Sequence, residues 1–312
     1  MFALLQVVIP VFLVTAAGYA CLRLGYFQDN HVDGLNRYTQ NFAIPVLLFN
    51  ATRQLDLSVV FDPALLLAFY AGNTAAFVLG ILGARLIFKR RPGEAVAIGF
   101  GALFSNSVIL GIPIVERAFG PEALAASFAV IAIHAPYCYF LGITVMEVSR
   151  ADGRNALETA RTVIRAMLKN ALMIGILLGF AVNLSGIPLP PTFVDATELI
   201  VASALPTALF ALGGVLTRYS LRRSVGEAVM TSALSLVVHP TITFVLAYHV
   251  LDLPVIFVKG IVLTAAMAPG INTYIFATLY SRAEGAAAST VLLATAMSVI
   301  SVSVWLAILS PL

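Results

Sequence analysis

Asn106 and Asn272 each lie in a long apolar stretch close to a glycine and a proline, a setting for amide chemistry without a fixed charge. The first stands in Phe104-Ser-Asn106-Ser-Val-Ile-Leu-Gly111-Ile-Pro113, the second in Ala265-Ala-Met-Ala-Pro269-Gly270-Ile-Asn272-Thr-Tyr274. A carboxamide both donates and accepts hydrogen bonds, and it is costly in apolar surroundings unless partners satisfy it. Proline removes a backbone donor and glycine lets the chain leave the helix. Each stretch therefore predicts a broken helix, whose half-helix N-terminus offers N–H groups and partial positive charge. Such a pair suits a small anion that is held weakly and must leave again. Ser105, Asn106, Gly111, Pro113, Pro269, Gly270, Asn272 and Tyr274 form the candidate binding set. The competing reading makes each Asn a hydrogen-bonding tie between helices.

Other polar groups in apolar context narrow the chemistry. His134 and His239 fall near the centres of their stretches, where an imidazole can carry a proton or sense substrate charge; the alternative is a neutral histidine bonded within a helix interface. Glu116, Glu147 and Glu198 lie close to the ends of theirs, which places them at an interface rather than on an ion. No Lys or Arg falls mid-stretch. His-Glu-x-x-His, Gly-x-Ser-x-Gly and Cys-x-x-Cys are all absent, so metal and nucleophile chemistry lack their parts. Cys21 and Cys138 read as small buried hydrophobes. No enzyme activity, cofactor or metal is expected, and without an appended output domain a sensor is a poor fit.

The elements that must position these residues are membrane helices. Hydrophobic residues make up 60% of the chain and charged ones 11%, against roughly 45–50% and 25% in soluble domains. Apolar stretches of about 20 residues, enough to cross a bilayer, predict ten spans: 2–26, 34–52, 63–88, 95–119, 122–148, 163–185, 193–217, 226–250, 256–280 and 286–309. The first reads as a retained helix, not a signal peptide. Of the 18 Lys and Arg, 15 flank the loops after odd-numbered spans. The other three, Arg53, Arg117 and Lys259, follow even-numbered spans. Positive charge marks the cytoplasmic side, so both termini are expected outside, in an inner-membrane protein. The basic residues are scattered over short loops, which excludes nucleic-acid binding. Trp305 and Tyr280 read as interfacial aromatics, and Gly175-x-x-x-Gly179 as a close helix contact.

An internal repeat organises the spans. Ala43-Ile-Pro45-Val-Leu-Leu-Phe49 recurs 161 residues later as Ala204-Leu-Pro206-Thr-Ala-Leu-Phe210, and Gly18 and Gly25 recur as Gly179 and Gly186 at the same offset. Pro45 and Pro206 predict kinks in spans two and seven. With five spans on each side of a polar linker at 150–162, the halves 1–149 and 163–312 are inverted copies, a transporter's design.

These motifs resemble the auxin efflux carrier family. Ser105-Asn106-Ser-Val-Ile-Leu-Gly111-Ile-Pro113 with Phe119-Gly120 is similar to that family's fourth span. Asn41-Phe-Ala-Ile-Pro45 is similar to its second and Pro206-Thr-Ala-Leu-Phe210-Ala-Leu-Gly213 to its seventh. Lys169-Asn170, and Gly270-Ile-Asn272 with Ala277, also fit. Pro269 comes one position later than in many members. The linker of about a dozen residues, short beside the long loop of plant members, points to a bacterial-type carrier.

The resemblance implies an all-α fold of ten spans in two inverted five-helix repeats, with broken spans four and nine crossing as in bile-acid sodium symporters and sodium–proton antiporters. It implies a scaffold of spans 1, 2, 6 and 7, a transport domain of spans 3–5 and 8–10, and a homodimer. The expected activity is elevator-type transport of a small organic anion, a mono- or dicarboxylate, with H+ or Na+ as possible coupling ion. A sodium-coupled carrier of the bile-acid symporter type is the alternative.

Overall fold

The computed structural model describes residues 2–55, 62–150, 161, 171–219 and 224–312. The linker, apart from residues 150 and 161, and the Lys169-Asn170 pair lie outside the described residues. The chain is all helix, as its composition requires: in hydrocarbon every backbone polar group must be satisfied within the protein. Among the described residues the one extended pairing is an isolated antiparallel bridge between Ser105 and Pro269.

Span one is α1, Phe2–Arg23. Span two is α2, Asp29–Tyr38, a π turn at Thr39–Ala43, and α3, Ile44–Arg53. Span three is α4, Pro63–Leu86, started by Asp62, whose carboxylate accepts from the Ala64 N–H at 2.8 Å. Span four is α5, Pro92–Leu103, and α6, Ile112–Phe119. Span five is α7, Pro121–Arg150, the described part of span six is α8, Ala171–Ser185, and span seven is α9, Pro191–Leu216. Span eight holds α10, Val225–Ala233, and α11, His239–Phe244, with π turns at Leu234–Val238 and Val245–Val250. Span nine is α12, Val255–Ala265, and α13, Ile271–Leu279; span ten is α14, Glu284–Leu309. Six runs (within α1, α4, α7 and α9, the whole of span eight, and α14) are long and apolar enough to cross a membrane by themselves. The other four expected spans are short or interrupted in their described residues, so length and hydropathy do not single them out.

The prolines act through their register. Three π turns end two residues before a proline: Thr39–Ala43 before Pro45, Ser107–Gly111 before Pro113, and Leu234–Val238 before Pro240. A proline ring collides with the carbonyl four residues back, and one extra residue in the turn makes room for it. The freed carbonyl still needs a donor. At Pro240 that carbonyl belongs to Leu236, and Trp305 Nε1 donates to it at 3.0 Å. An orphan group in hydrocarbon costs several kcal/mol, so this bond holds α14 against span eight. Trp305 is 7% exposed, so its indole acts as a buried donor. Pro206 sits inside an α9 that runs unbroken from Pro191 to Leu216.

Two groups of helices emerge. α1 packs on α9, and α3 on α8 and α9. α4 packs on α5 and α11, α7 on α5 and α12, and α10 on α14. Glycines set the closest crossings in the first group. A methyl on Gly18 would lie 1.9 Å from Phe210 O, and one on Gly213 would lie 1.8 Å from Thr15 O. A methyl on Gly179 would lie 1.9 Å from Thr52 Oγ1 and 2.7 Å from Phe49 O, and one on Gly175 would lie 2.3 Å from Pro45 O. The Gly18–Phe210 and Gly179–Phe49 contacts exchange under the 161-residue offset.

Candidate functional site

Spans four and nine break where their motifs predict, and the breaks meet. α5 ends at Leu103; Phe104 is extended (φ −99°, ψ 90°), and the chain re-enters helix through the π turn that starts at Ser107. α12 ends at Ala265, and α13 starts after Gly270 (φ −92°, ψ −178°). The two extended pieces satisfy each other: the Asn106 N–H donates to Ala268 O at 2.8 Å, and the Gly270 N–H to Phe104 O at 3.4 Å. Pro269 has no N–H to offer, and the ladder leaves it none to make. Gly270 favours close contact rather than an unusual conformation: an added methyl would lie 3.3 Å from Asn106 Cβ and Cγ, so the Asn106 side chain would have to shift by a few tenths of an ångström. Leu110 and Gly111 N–H groups then close the turn on Asn106 O at 3.2 and 3.1 Å.

A cavity of about 50 Å³ lies at this crossing, lined by Ser105, Asn106, Gly270, Asn272 and His134 among others. That is space for a few waters or a small ligand. Gln40, Ile44, Leu48, Leu172 and Ile176 form its opposite wall. The polar groups other than Gln40 thus sit on one side and a nearly smooth apolar wall on the other. No Lys, Arg, Asp or Glu is among the lining residues. The first turn of α13 and the turn at Ser107 both start at the cavity, and helix-start N–H groups lack partners within their own helix.

Asn272 Oδ1 accepts from the Tyr139 hydroxyl at 3.1 Å, which leaves its amide nitrogen free to donate. His134 Nε2 lies 3.3 Å from Ser105 Oγ, and its ring is packed among Phe69, Tyr70 and Phe104. Behind the break, Asn73 Nδ2 donates to Leu103 O at 2.6 Å and so caps the end of α5. Other candidates stand aside from the cavity. Gly111 packs on Met267, Pro113 is buried in the first turn of α6, and the Tyr274 ring lies tilted against Tyr219, 5.2 Å between centroids. His239 is fully buried against Phe69, at 4.9 Å between ring centroids. Gln40, Asn73 and Tyr139 escaped the sequence reading; their signal was a polar side chain in an apolar span, as with Asn106.

Two open vestibules flank the cavity. One, of about 520 Å³, includes Asp33, Arg37 and Arg218 and shares Gln40, Leu172, Ile271 and Asn272 with it. The other, of about 460 Å³, includes Glu116 and Glu198 and shares no residue with it. Leu47 and Ile112 of that vestibule and Leu48 and Ile109 of the cavity lie at the apolar partition between them.

A family model described as membrane transport protein matches residues 3–306. The chain belongs to that family. This is the auxin efflux carrier family its motifs resemble, so the chain is a multi-pass membrane transporter and not an enzyme. Three relatives are similar to it along nearly their whole length. An uncharacterized transporter of Methanothermobacter thermautotrophicus is 27% identical over 97% of this chain and 98% of its own. A provisionally named malonate transporter of Rhizobium meliloti is 23% identical over 95% and 92%. An uncharacterized transporter of Methanocaldococcus jannaschii is 22% identical over 96% and 97%.

Proposed function

We propose that this secondary transporter carries a small organic anion, a mono- or dicarboxylate of malonate or malate size, bound where spans four and nine cross. The observation that carries the reading is the uncharged cavity onto which two half-helix N-termini and the carboxamides of Asn106 and Asn272 converge. Oriented N–H groups hold an anion without a fixed cation, so binding stays weak enough for release. The relative named for malonate supports that size of substrate.

An elevator mechanism follows from the asymmetry of the walls. Spans 3–5 and 8–10 carry the polar groups other than Gln40 and form the transport domain. Spans 1, 2, 6 and 7 form the scaffold, which presents Ile44, Leu48, Leu172 and Ile176. An apolar wall gives a sliding domain no hydrogen bonds to break. The exchange of the Gly18–Phe210 and Gly179–Phe49 contacts supports inverted repeats and a ten-span layout. With both termini outside, the vestibule holding Arg37 faces the cytoplasm, and this conformation is open inward. The scaffold is the surface for a homodimer.

Uptake of labelled malonate by proteoliposomes tests the reading, with sodium replaced by choline to separate it from a sodium-coupled carrier. Asn106→Ala and Asn272→Ala are each expected to cut uptake at least about ten-fold, the value of one charge-assisted hydrogen bond. Undiminished uptake in both variants would sink the site.

A further inference from the structure

The two vestibules differ in charge at positions that the repeat makes equivalent. Arg37 lies on α2 at the mouth that communicates with the central cavity, and Glu198, 161 residues later on α9, lies at the mouth that does not. Glu116 joins Glu198 there. The guanidinium of Arg53 donates to Asn50 at 3.0 Å on that side, at the rim.

At the first mouth the charges are sorted. Arg218 is held by Asp29 at 3.0 Å and Asp33 at 2.7 Å, two carboxylates on one guanidinium, so it has no charge to spare for a substrate and Arg37 is the cation left to meet one. Arg37 is exposed and, among the described residues, has no ion-pair partner. Its helix position continues inward as Gln40, Ile44 and Leu48, one helical face that runs from the vestibule into the cavity. Arg37 is about 12 Å along the helix from Asp29, at 1.5 Å per residue. That places it below the rim and one turn above Gln40, which belongs to both compartments.

We propose that Arg37 is a recruiting cation that captures the carboxylate substrate at this mouth and hands it over Gln40 to the amide site. Glu116 and Glu198 repel the anion at the other mouth, so the carrier has high affinity from the Arg37 face and low affinity from the opposite one. This rests on the anion-carrier reading. A cation at the mouth raises the local anion concentration and speeds entry, while the absence of one in the cavity permits release. Screening by salt reaches such a water-filled site, so the capture step weakens as ionic strength rises.

The test is malonate transport by the full-length protein in proteoliposomes, with KM measured separately from each face and at low and high salt. Arg37→Gln is expected to raise KM from its own face about five-fold, the effect of one exposed charge pair of about 1 kcal/mol, and to flatten the salt dependence. Its effect falls on KM rather than on maximal rate, and Arg37→Lys retains both KM and salt dependence. Glu198→Gln is expected to lower KM from the opposite face, which keeps the proposal falsifiable should Arg37→Gln fail to fold. Equal KM values from the two faces in the wild type, or an unchanged KM and salt slope in Arg37→Gln, overturn the capture role while leaving the carrier reading intact. A wild-type protein that moves no malonate overturns both.

Discussion

At Asn272 the carboxamide is already half engaged: its oxygen takes the Tyr139 hydroxyl, and its nitrogen is left to face the cavity. This orientation makes it a donor, which is what an anion needs. His134 is the titratable side chain on the same cavity, tied to Ser105 and ringed by Phe69, Tyr70 and Phe104. The titratable groups around it are Tyr70, Tyr137, Cys138, Tyr139 and His239, the last across the Phe69 ring, with no carboxylate among them. If its proton travels with the anion, uptake rises as pH falls and His134→Gln flattens that profile. The measurement is malonate uptake between pH 5 and pH 8 in proteoliposomes. An identical profile in wild type and His134→Gln ends the coupling role. The asparagines and histidines were legible as polar groups in apolar spans. Which histidine reaches the cavity was not, because His134 and His239 both sit near the centres of their apolar stretches and what packs around each decides.

At the scale of elements, glycine registers and proline registers decide how closely helices approach and where they open. Gly179→Ala puts a methyl 1.9 Å from Thr52 Oγ1 and 2.7 Å from the backbone oxygen of Phe49, and neither helix can yield without losing the Gly175–Pro45 contact. Overpacking of this kind typically costs about 1–3 kcal/mol. Gly179→Ala is therefore expected to lower the melting temperature of detergent-solubilised protein by several degrees. Gly186→Ala, where open space surrounds the position but φ is +63°, strains the backbone without touching the α3–α8 contact, so it should leave a cross-link between those helices unchanged. An unshifted melting point in Gly179→Ala would mean that the two helices are not in backbone contact. The prolines were equally visible, but their consequences diverged. Pro45, Pro113 and Pro240 follow π turns, whereas Pro206 is absorbed in an unbroken helix. A proline's sequence neighbours do not say whether a donor waits for the carbonyl it frees.

For the whole molecule, charge placement sets the orientation. Most Lys and Arg flank one set of loops, and the proposed orientation therefore puts both chain ends on the outer face. A cysteine introduced at Ser310, in a protein lacking Cys21 and Cys138, is expected to react with a membrane-impermeant maleimide in intact cells, while one introduced at Arg91 reacts after permeabilisation. The reverse pattern would turn the carrier over and place the Arg37 mouth outside. In the proposed orientation this conformation is inward-open, since the cavity shares its lining with the Arg37 vestibule and not with the Glu198 one.

The chain's composition by itself determined that it lives in a membrane, because 60% hydrophobic residues with 11% charge leave no aqueous fold available. Its motifs determined the family and the two places where helices break, because proline and glycine act on their own backbone. The tertiary structure decided which polar groups meet. Asn106 bonds to Ala268 through the backbone and Tyr139 to Asn272 through side chains, across 162 and 133 residues of chain. Such partners are chosen by packing in three dimensions, and no local pattern records them.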